Sequence, residues 1–213
     1  MWPMETSQTT DSDPDSALRD RLAEAVAGEA AFSGWSQVAL RAAAAQVGAG
    51  PDAERLFPGG PIDVLAYLSE RADQRTVAAL EQAGTESLKI RERITLAVRT
   101  RIENTVGGKE SVRRGLALLA LPFNGPLALR LLYRTVDALW YAAGDTSTDF
   151  NFYTKRATLA GVFSSTLLYW LNDRSEGNEA TWSFLDRRID NVMSFEKLKG
   201  RLRPATGPSR ARV

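Results

Sequence analysis

The sequence predicts an all-α protein, and three observations carry that expectation. Apolar residues recur at three- and four-residue spacing through almost the whole chain, the breaks fall on Gly, Pro or capping residues, and no stretch alternates as a strand would. A length of 213 residues with 44% hydrophobic content suits one domain with its own core.

The elements follow in order. A first helix is expected from about Ser16 to Phe32, with Leu18, Leu22, Ala25, Val26 and Ala30 on one face and Ser33-Gly34 ending it. A second spans Ser36 to Val47 before the breaker run Gly48-Ala49-Gly50-Pro51, and a short third covers Asp52 to Phe57 before Pro58-Gly59-Gly60. Pro61 to Leu80 makes a fourth, with proline well placed in its first turn and Ile62, Leu65, Leu68 and Ala72 inward. Glu86 to Glu103 makes a fifth. Val112–Leu121, Leu127–Ala142 and Ala157–Leu171 are apolar nearly all round, which places them in a core or around a greasy pocket. After the turn 173–178 a last helix runs from Glu179 to Leu202, closed by Pro204.

Composition narrows the function. Lys+Arg 27 against Asp+Glu 26 leaves a net charge of +1, so no whole-protein field steers the chain to nucleic acid. With no cysteine and no histidine, thiolate nucleophiles, imidazole bases and the common zinc sites are all missing. We therefore expect no catalytic residues, no metal and no cofactor. Met1 to Ser16 carries acids and no Lys or Arg, which reads as a disordered acidic tail without the marks of a secretory signal or a mitochondrial presequence. That composition favours a bacterial cytoplasm. The longest uncharged runs, Gly115–Leu129 and Ala157–Asn172, hold 15 and 16 residues. They fall short of the roughly 20 needed to span a bilayer, so no transmembrane helix is expected.

Three constellations carry functional information. The first is the amino-terminal trio: a helix ending at Gly34, then Trp35-Ser-Gln-Val-Ala-Leu-Arg-Ala-Ala-Ala, a Gly-containing turn, a short helix and Phe57-Pro58. Small residues where two helices cross and a tight turn between them are what a helix-turn-helix requires, and the order resembles the head of TetR-type regulators. The short helix, Pro51-Asp52-Ala53-Glu54-Arg55-Leu56-Phe57, sets two carboxylates against one Arg. Repulsion from phosphates opposes its docking in a major groove. A helical core packed by Leu40, Ala44, Leu56 and Phe57 accounts for the same residues.

The second is 145–156, Asp-Thr-Ser-Thr-Asp-Phe-Asn-Phe-Tyr-Thr-Lys-Arg, which links two apolar helices. Ser147, Thr148 and Asp149 suit a helix N-cap. Phe150, Phe152 and Tyr153 beside Lys155 and Arg156 cannot all face one core, so at least one aromatic should be exposed, as at an interface hot spot. The third is the terminal helix, where Leu185, Ile189, Val192, Phe195, Leu198 and Leu202 form an apolar stripe flanked by Trp182 and Met193. From Asp186 to Arg203 six Lys/Arg (Arg187, Arg188, Lys197, Lys199, Arg201, Arg203) oppose three acids, a net of +3. Such a helix lies in a membrane interface or folds back onto the bundle as an ordinary outer helix.

The run Asp145-x-Ser-Thr-Asp-Phe-Asn-x-Tyr-Thr-Lys-Arg, continued by Leu159-Ala-Gly-Val-Phe, Leu167-Leu-Tyr-Trp-Leu-x-Asp173-x-Ser175 and Thr181-Trp-x-Phe-Leu-Asp-Arg-Arg-Ile-Asp190, resembles the Coq-nine family of ubiquinone-biosynthesis proteins. In the first half the likeness rests on Trp35, Ala39-Leu40, Ala43-Ala44, Gly48, Phe57-Pro58-Gly59-Gly60 and Ile62-Asp63. The resemblance implies a TetR-like all-helical bundle with a degenerate helix-turn-helix, an apolar pocket for an isoprenoid quinone intermediate or phospholipid, and a terminal membrane-binding helix. It also implies a partner, the di-iron demethoxyubiquinone hydroxylase, to which the lipid would be presented. The family's adjacent aromatics fall on Phe152 and Tyr153.

The expected organisation is thus an acidic tail over 1–16, a TetR-like domain over 17–177 (a head over 17–60 and a ligand-binding bundle over 61–177), an amphipathic membrane-binding helix over 178–203 and a basic tail over 204–213. Candidate lipid-binding residues are Leu116, Leu119, Leu127, Leu131, Trp140, Phe163 and Leu167. The partner patch is Asp149, Phe152, Tyr153, Lys155 and Arg156. The membrane face is Trp182, Leu185, Ile189, Val192, Met193, Phe195, Lys197, Leu198, Lys199, Arg201 and Leu202. Ala157, Ala160, Gly161, Ser164 and Ser165 make a small-residue face that suits a two-fold homodimer or a tight internal crossing. The expected function is a non-catalytic lipid-binding accessory protein of ubiquinone biosynthesis, peripheral on the inner face of a bacterial cytoplasmic membrane. A TetR-type transcriptional regulator with a lipid effector is the alternative.

Overall fold

A computed structural model describes the backbone of residues 14–144 and 151–202, and the side chains of 15–144 and 153–192 within them. The expected acidic and basic tails lie largely outside these residues. Helices α1 (Pro14–Ser33), α2 (Gln37–Val47), α3 (Ala53–Leu56), α4 (Pro61–Ala83), α5 (Ile90–Glu103), α6 (Gly108–Leu119), α7 (Gly125–Ala142), α8 (Asn151–Asn172) and α9 (Glu179–Leu202) follow one another, with no strand among the described residues.

Local chemistry sets the boundaries. The Ser36 hydroxyl accepts the Ala39 N–H at 3.2 Å and caps α2. Gly48 ends the same helix in the left-handed region, φ 74°, where a side chain would be strained. Several boundaries differ from expectation: α4 runs three residues further, to Ala83, and α6 begins at Gly108, four residues before the expected Val112. Helix α5 begins at Ile90, because 85–87 forms a separate 3-10 turn and Glu92 accepts the Lys89 N–H at 2.9 Å across the true start. Helix α6 stops at Leu119, since the residue before Pro122 avoids helical geometry and Leu121 is extended, ψ 137°. Helix α8 begins at Asn151, six residues before the expected Ala157, with Tyr153 turned outward and 71% exposed.

Two cores result. In the head, Leu22, Val26, Leu40, Ala43, Leu56 and Phe57 join one closely packed cluster. Small residues at Ala23, Ala27, Ala39 and Ala43, all fully buried, let α1 and α2 approach closely. Phe57 meets Tyr67 edge-on at 5.6 Å, and the Arg19 guanidinium lies 4.5 Å from the Tyr67 ring. The Tyr67 hydroxyl donates to Asp20 at 2.7 Å, and burial together with that bond pushes it up to about 12. The Asp20–Arg71 pair at 2.6 Å then ties α1 to α4.

The second core joins α4, α5, α7, α8 and α9 around Val98, Ile102, Leu139, Phe163, Trp170 and Leu185. Helix α9 is locked to the end of α8 by Asp173, which accepts from the N–H and hydroxyl of both Ser175 and Thr181 at 2.5 to 2.8 Å. Those bonds hold its carboxyl well below the usual carboxylate range. No single helix among the described residues is long and apolar enough to cross a membrane. Helix α6 and the segment 122–142 would pass only together, and they meet at a 93° bend.

Candidate functional site

That bend opens a cavity of about 400 Å³ in the body. Its wall is made by Leu65, Leu68 and Ala72 of α4, Val112, Leu116 and Leu119 of α6, Ala128, Leu131 and Leu132 of α7, and Phe163, Leu167 and Leu168 of α8. Ala120 and Leu168 are exposed members of the wall, so the hollow reaches the surface beside the elbow where Leu121 and Phe123 are also exposed. Gly115 eases the approach of α6 to α4, because a Cβ there would lie 3.0 Å from Leu65 Cδ1 and 3.2 Å from Trp35 Nε1, and those side chains would have to shift by a few tenths of an ångström to admit it. Trp35 reaches from the head to the wall, its indole N–H donating to the Ser111 carbonyl at 2.9 Å.

One end of this apolar wall is charged. Arg101 of α5 donates from Nε to Asp73 of α4 at 2.5 Å and from Nη2 to the Ser69 carbonyl and hydroxyl at 3.3 and 3.2 Å. Thr135 of α7 donates to both Asp73 oxygens, at 2.9 and 3.1 Å. Both ionic side chains are about nine-tenths buried. Burial pushes the Asp73 carboxyl above the usual range, against the lowering pull of Arg101 and Thr135.

Of the seven expected lipid-binding residues, Leu116, Leu119, Leu131, Phe163 and Leu167 line the cavity. Leu127 and Trp140 do not. Leu127 faces a separate polar groove with Arg130 and Arg134, and Trp140 packs in the core beyond Thr135, where α7 has passed the end of the hollow. Trp35, Leu65, Leu68, Arg101 and Thr135 were not anticipated as wall residues. The signal that would have found Arg101 is its place on the inward face of α5, one turn after the buried Ala97.

The sequence profile of the COQ9 family matches residues 125–196, which span α7, α8 and the first part of α9. The ubiquinone biosynthesis protein COQ9-B of Xenopus laevis is 31% identical over 195 residues, covering 88% of this chain and 67% of that protein. The chain belongs to the COQ9 family. The mitochondrial COQ9 proteins of rat and human are 34% and 31% identical over 76% and 87% of this chain. The chain spans 54% and 60% of their lengths. A TetR transcriptional regulator from Nitrosomonas europaea superposes with a TM-score of 0.70 at 23% identity, over 84% of this chain and 99% of that one, which gives the fold as TetR-like.

These COQ9 relatives overturn the expected bacterial cytoplasmic setting, since they are named as mitochondrial proteins of eukaryotes. That expectation rested on the composition of residues 1–16 alone, in a chain that matches little more than half of those proteins. Composition there does not report on location.

Within the COQ9-like patch, Asp149 lies outside the described residues, as does the side chain of Phe152. Tyr153 is exposed, and the Lys155 ammonium sits 5.6 Å from the Trp140 ring. Arg156 is buried and donates to Asp137 at 2.6 and 2.8 Å, so it braces α8 on α7. In the terminal helix, Leu185 and Ile189 are buried in the body core, Val192 packs against it, and Trp182 lies under Arg99 at 4.9 Å. The side chains of Met193, Phe195, Lys197, Leu198, Lys199, Arg201 and Leu202 lie outside the described residues.

The head holds further detail. Arg55, the one cation of α3, is bound by Asp15 at 2.5 Å and by Asp52 at 3.2 Å, beside Glu54. In the small-residue face of α8, Ala157 and Gly161 are exposed and a Cβ on Gly161 would meet nothing within 4 Å, so no tight internal crossing occurs there. Ser164 instead lines the cavity.

Proposed function

We propose that this chain serves ubiquinone biosynthesis as a non-catalytic accessory protein that takes up an isoprenoid quinone intermediate from a bilayer surface and presents it to the demethoxyubiquinone hydroxylase. The observation that carries the reading is the cavity. At about 400 Å³ it falls within the usual range for small-molecule sites, its wall is largely Leu, Ala, Val and Phe, and its rim is continuous with an exposed apolar elbow. Burial of a polyprenyl tail gains about 25 cal/mol per Å² in a cavity or in a bilayer alike, so the hollow has only to match the membrane for the tail to exchange.

The outer half of α9, with its basic apolar sequence, is proposed as the membrane contact. Its inner half, fixed in the core by Leu185 and Ile189, would hold that contact on the body. The exposed Tyr153 at the start of α8 is proposed as part of the hydroxylase contact, and the open face at Ala157 and Gly161 as a contact between two copies of the chain. Arg55 is already neutralised within the protein, which counts against a regulator docked in a major groove.

Solvent extraction of the purified protein followed by mass spectrometry tests the reading. Isoprenoid quinone intermediates should be recovered in molar amounts near that of the protein. Protein that yields no lipid, and gains none from quinone-loaded vesicles, would contradict it. Tyr153→Ala should weaken hydroxylase capture with an unchanged melting temperature, whereas equal capture would remove Tyr153 from the contact.

A further inference from the structure

A wall of Leu, Ala and Phe needs no charge to hold a hydrocarbon tail, yet Arg101 and Asp73 stand in or against it at about one-tenth exposure. A buried ion pair is weak evidence of stabilisation, because apolar residues of similar volume often serve as well or better. The arrangement is also lopsided. Asp73 is engaged at each polar atom, Oδ1 taking Arg101 Nε and the Thr135 hydroxyl and Oδ2 sharing that hydroxyl at 3.1 Å. Arg101 is not: Nε goes to Asp73 and Nη2 to Ser69, while Nη1 has no acceptor among the described residues. The Ser69 hydroxyl only accepts in this set, so its own proton is also available, and Ser69 lines the same cavity. The Phe163 ring, 5.9 Å from the guanidinium carbon, borders the same spot.

We infer that Arg101, positioned by Asp73 and Thr135, is the anchor for the polar head of the cavity's ligand, and that this head is a neutral oxygen acceptor of the quinone or phenol type. The inference rests on the reading of the cavity as a lipid site. Charge decides the head class. Asp73 already balances Arg101, so a neutral carbonyl or hydroxyl oxygen can take the free N–H groups without adding charge to an apolar enclosure. A phosphate head would bring an uncompensated negative charge into the same low-dielectric space. The anchor also sets orientation, since with the head at Arg101 the tail runs along Leu116, Leu131 and Leu167 toward the rim.

Displacement of the neutral fluorescent probe N-phenyl-1-naphthylamine tests this with three competitors: decylubiquinone, the headless isoprenoid farnesane, and oleoyl lysophosphatidate. Three full-length proteins are compared: wild type, Arg101→Lys, which keeps the charge but loses the fork, and the double variant Arg101→Met with Asp73→Leu, which removes both charges and leaves no buried ion alone. Wild type should bind decylubiquinone at least tenfold more tightly than farnesane. Both variants should lose that preference, by tenfold in the double variant, while binding farnesane as wild type does. Retained quinone preference in the variants would overturn the anchor and leave the cavity reading standing. Wild type that prefers lysophosphatidate, with the preference lost in the variants, would overturn the neutral head. Failure of all three competitors to displace the probe from wild type would remove the lipid cavity, and the anchor with it.

Discussion

The head and the body of this protein are built from the same kinds of residue and reach opposite results. In the head, buried Ala23, Ala27, Ala39 and Ala43 are matched to one another, the helices close up, and Leu22, Leu40 and Phe57 fill what remains. In the body, Ala72 of α4 and Ala128 of α7 line the hollow, where the facing helices do not close up and the missing volume stays open. A small residue therefore means close approach where its neighbour can follow and a hollow where its neighbour does not. The cation budget differs in the same way: Arg55 in the head is fully engaged, and Arg101 in the body keeps a terminal nitrogen to spare.

Substitution can break that comparison. The largest expected effect is Phe57→Ala, which leaves a void in the closed head and should cost about 3 to 5 kcal/mol in urea unfolding. Leu119→Ala on the half-buried cavity wall should cost about 1 kcal/mol or less, because the side chain already borders space. Equal losses would mean that the head is no better packed than the body. Enlargement should reverse the order: Ala43→Leu should destabilise by about 1 to 3 kcal/mol through overpacking, while Ala128→Trp should fill the hollow and change stability by less than about 1 kcal/mol.

Smaller effects sharpen the account at the joints. Ser36→Ala removes the cap of α2 and should lower stability by about 1 kcal/mol by thermal unfolding. At the α8–α9 joint, the depressed carboxyl of Asp173 contributes stability that is present above the ordinary aspartate value of about 4 and is lost as pH falls through its lower folded value. Wild type should weaken steadily in acid below about pH 4, and Asp173→Asn should be less stable near neutrality and lose less in acid. Parallel acid profiles for the two proteins would rule out this carboxylate as the fastener.

The helices were legible because periodicity and punctuation agree: Gly48, Pro58 and Pro61 stop and start what the apolar spacing proposes. That at least one of Phe150, Phe152 and Tyr153 faces outward was legible, since adjacent helical positions cannot share one core, and Tyr153 is an exposed one. Leu127 and Trp140 fall outside the cavity for the opposite reason. On a helix apolar all round, nothing in the pattern says which face meets a neighbour and which meets a void, because a hollow is an absence that only the assembled fold defines. Arg101 and Asp73 were passed over although each is a charge on an inward face, Arg101 one turn from Ala97 and Asp73 beside Ala72. A cation and an acid on the inner faces of two successive helices would have been the readable sign of a polar end in an apolar core.

Native mass spectrometry of wild type beside Ala128→Trp, both purified from the same cells, tests the central claim most directly. The account predicts a bound lipid of isoprenoid quinone mass in wild type and a lipid-free Ala128→Trp protein that is still cooperatively folded. Equal lipid occupancy in the two proteins would place the ligand elsewhere and contradict it.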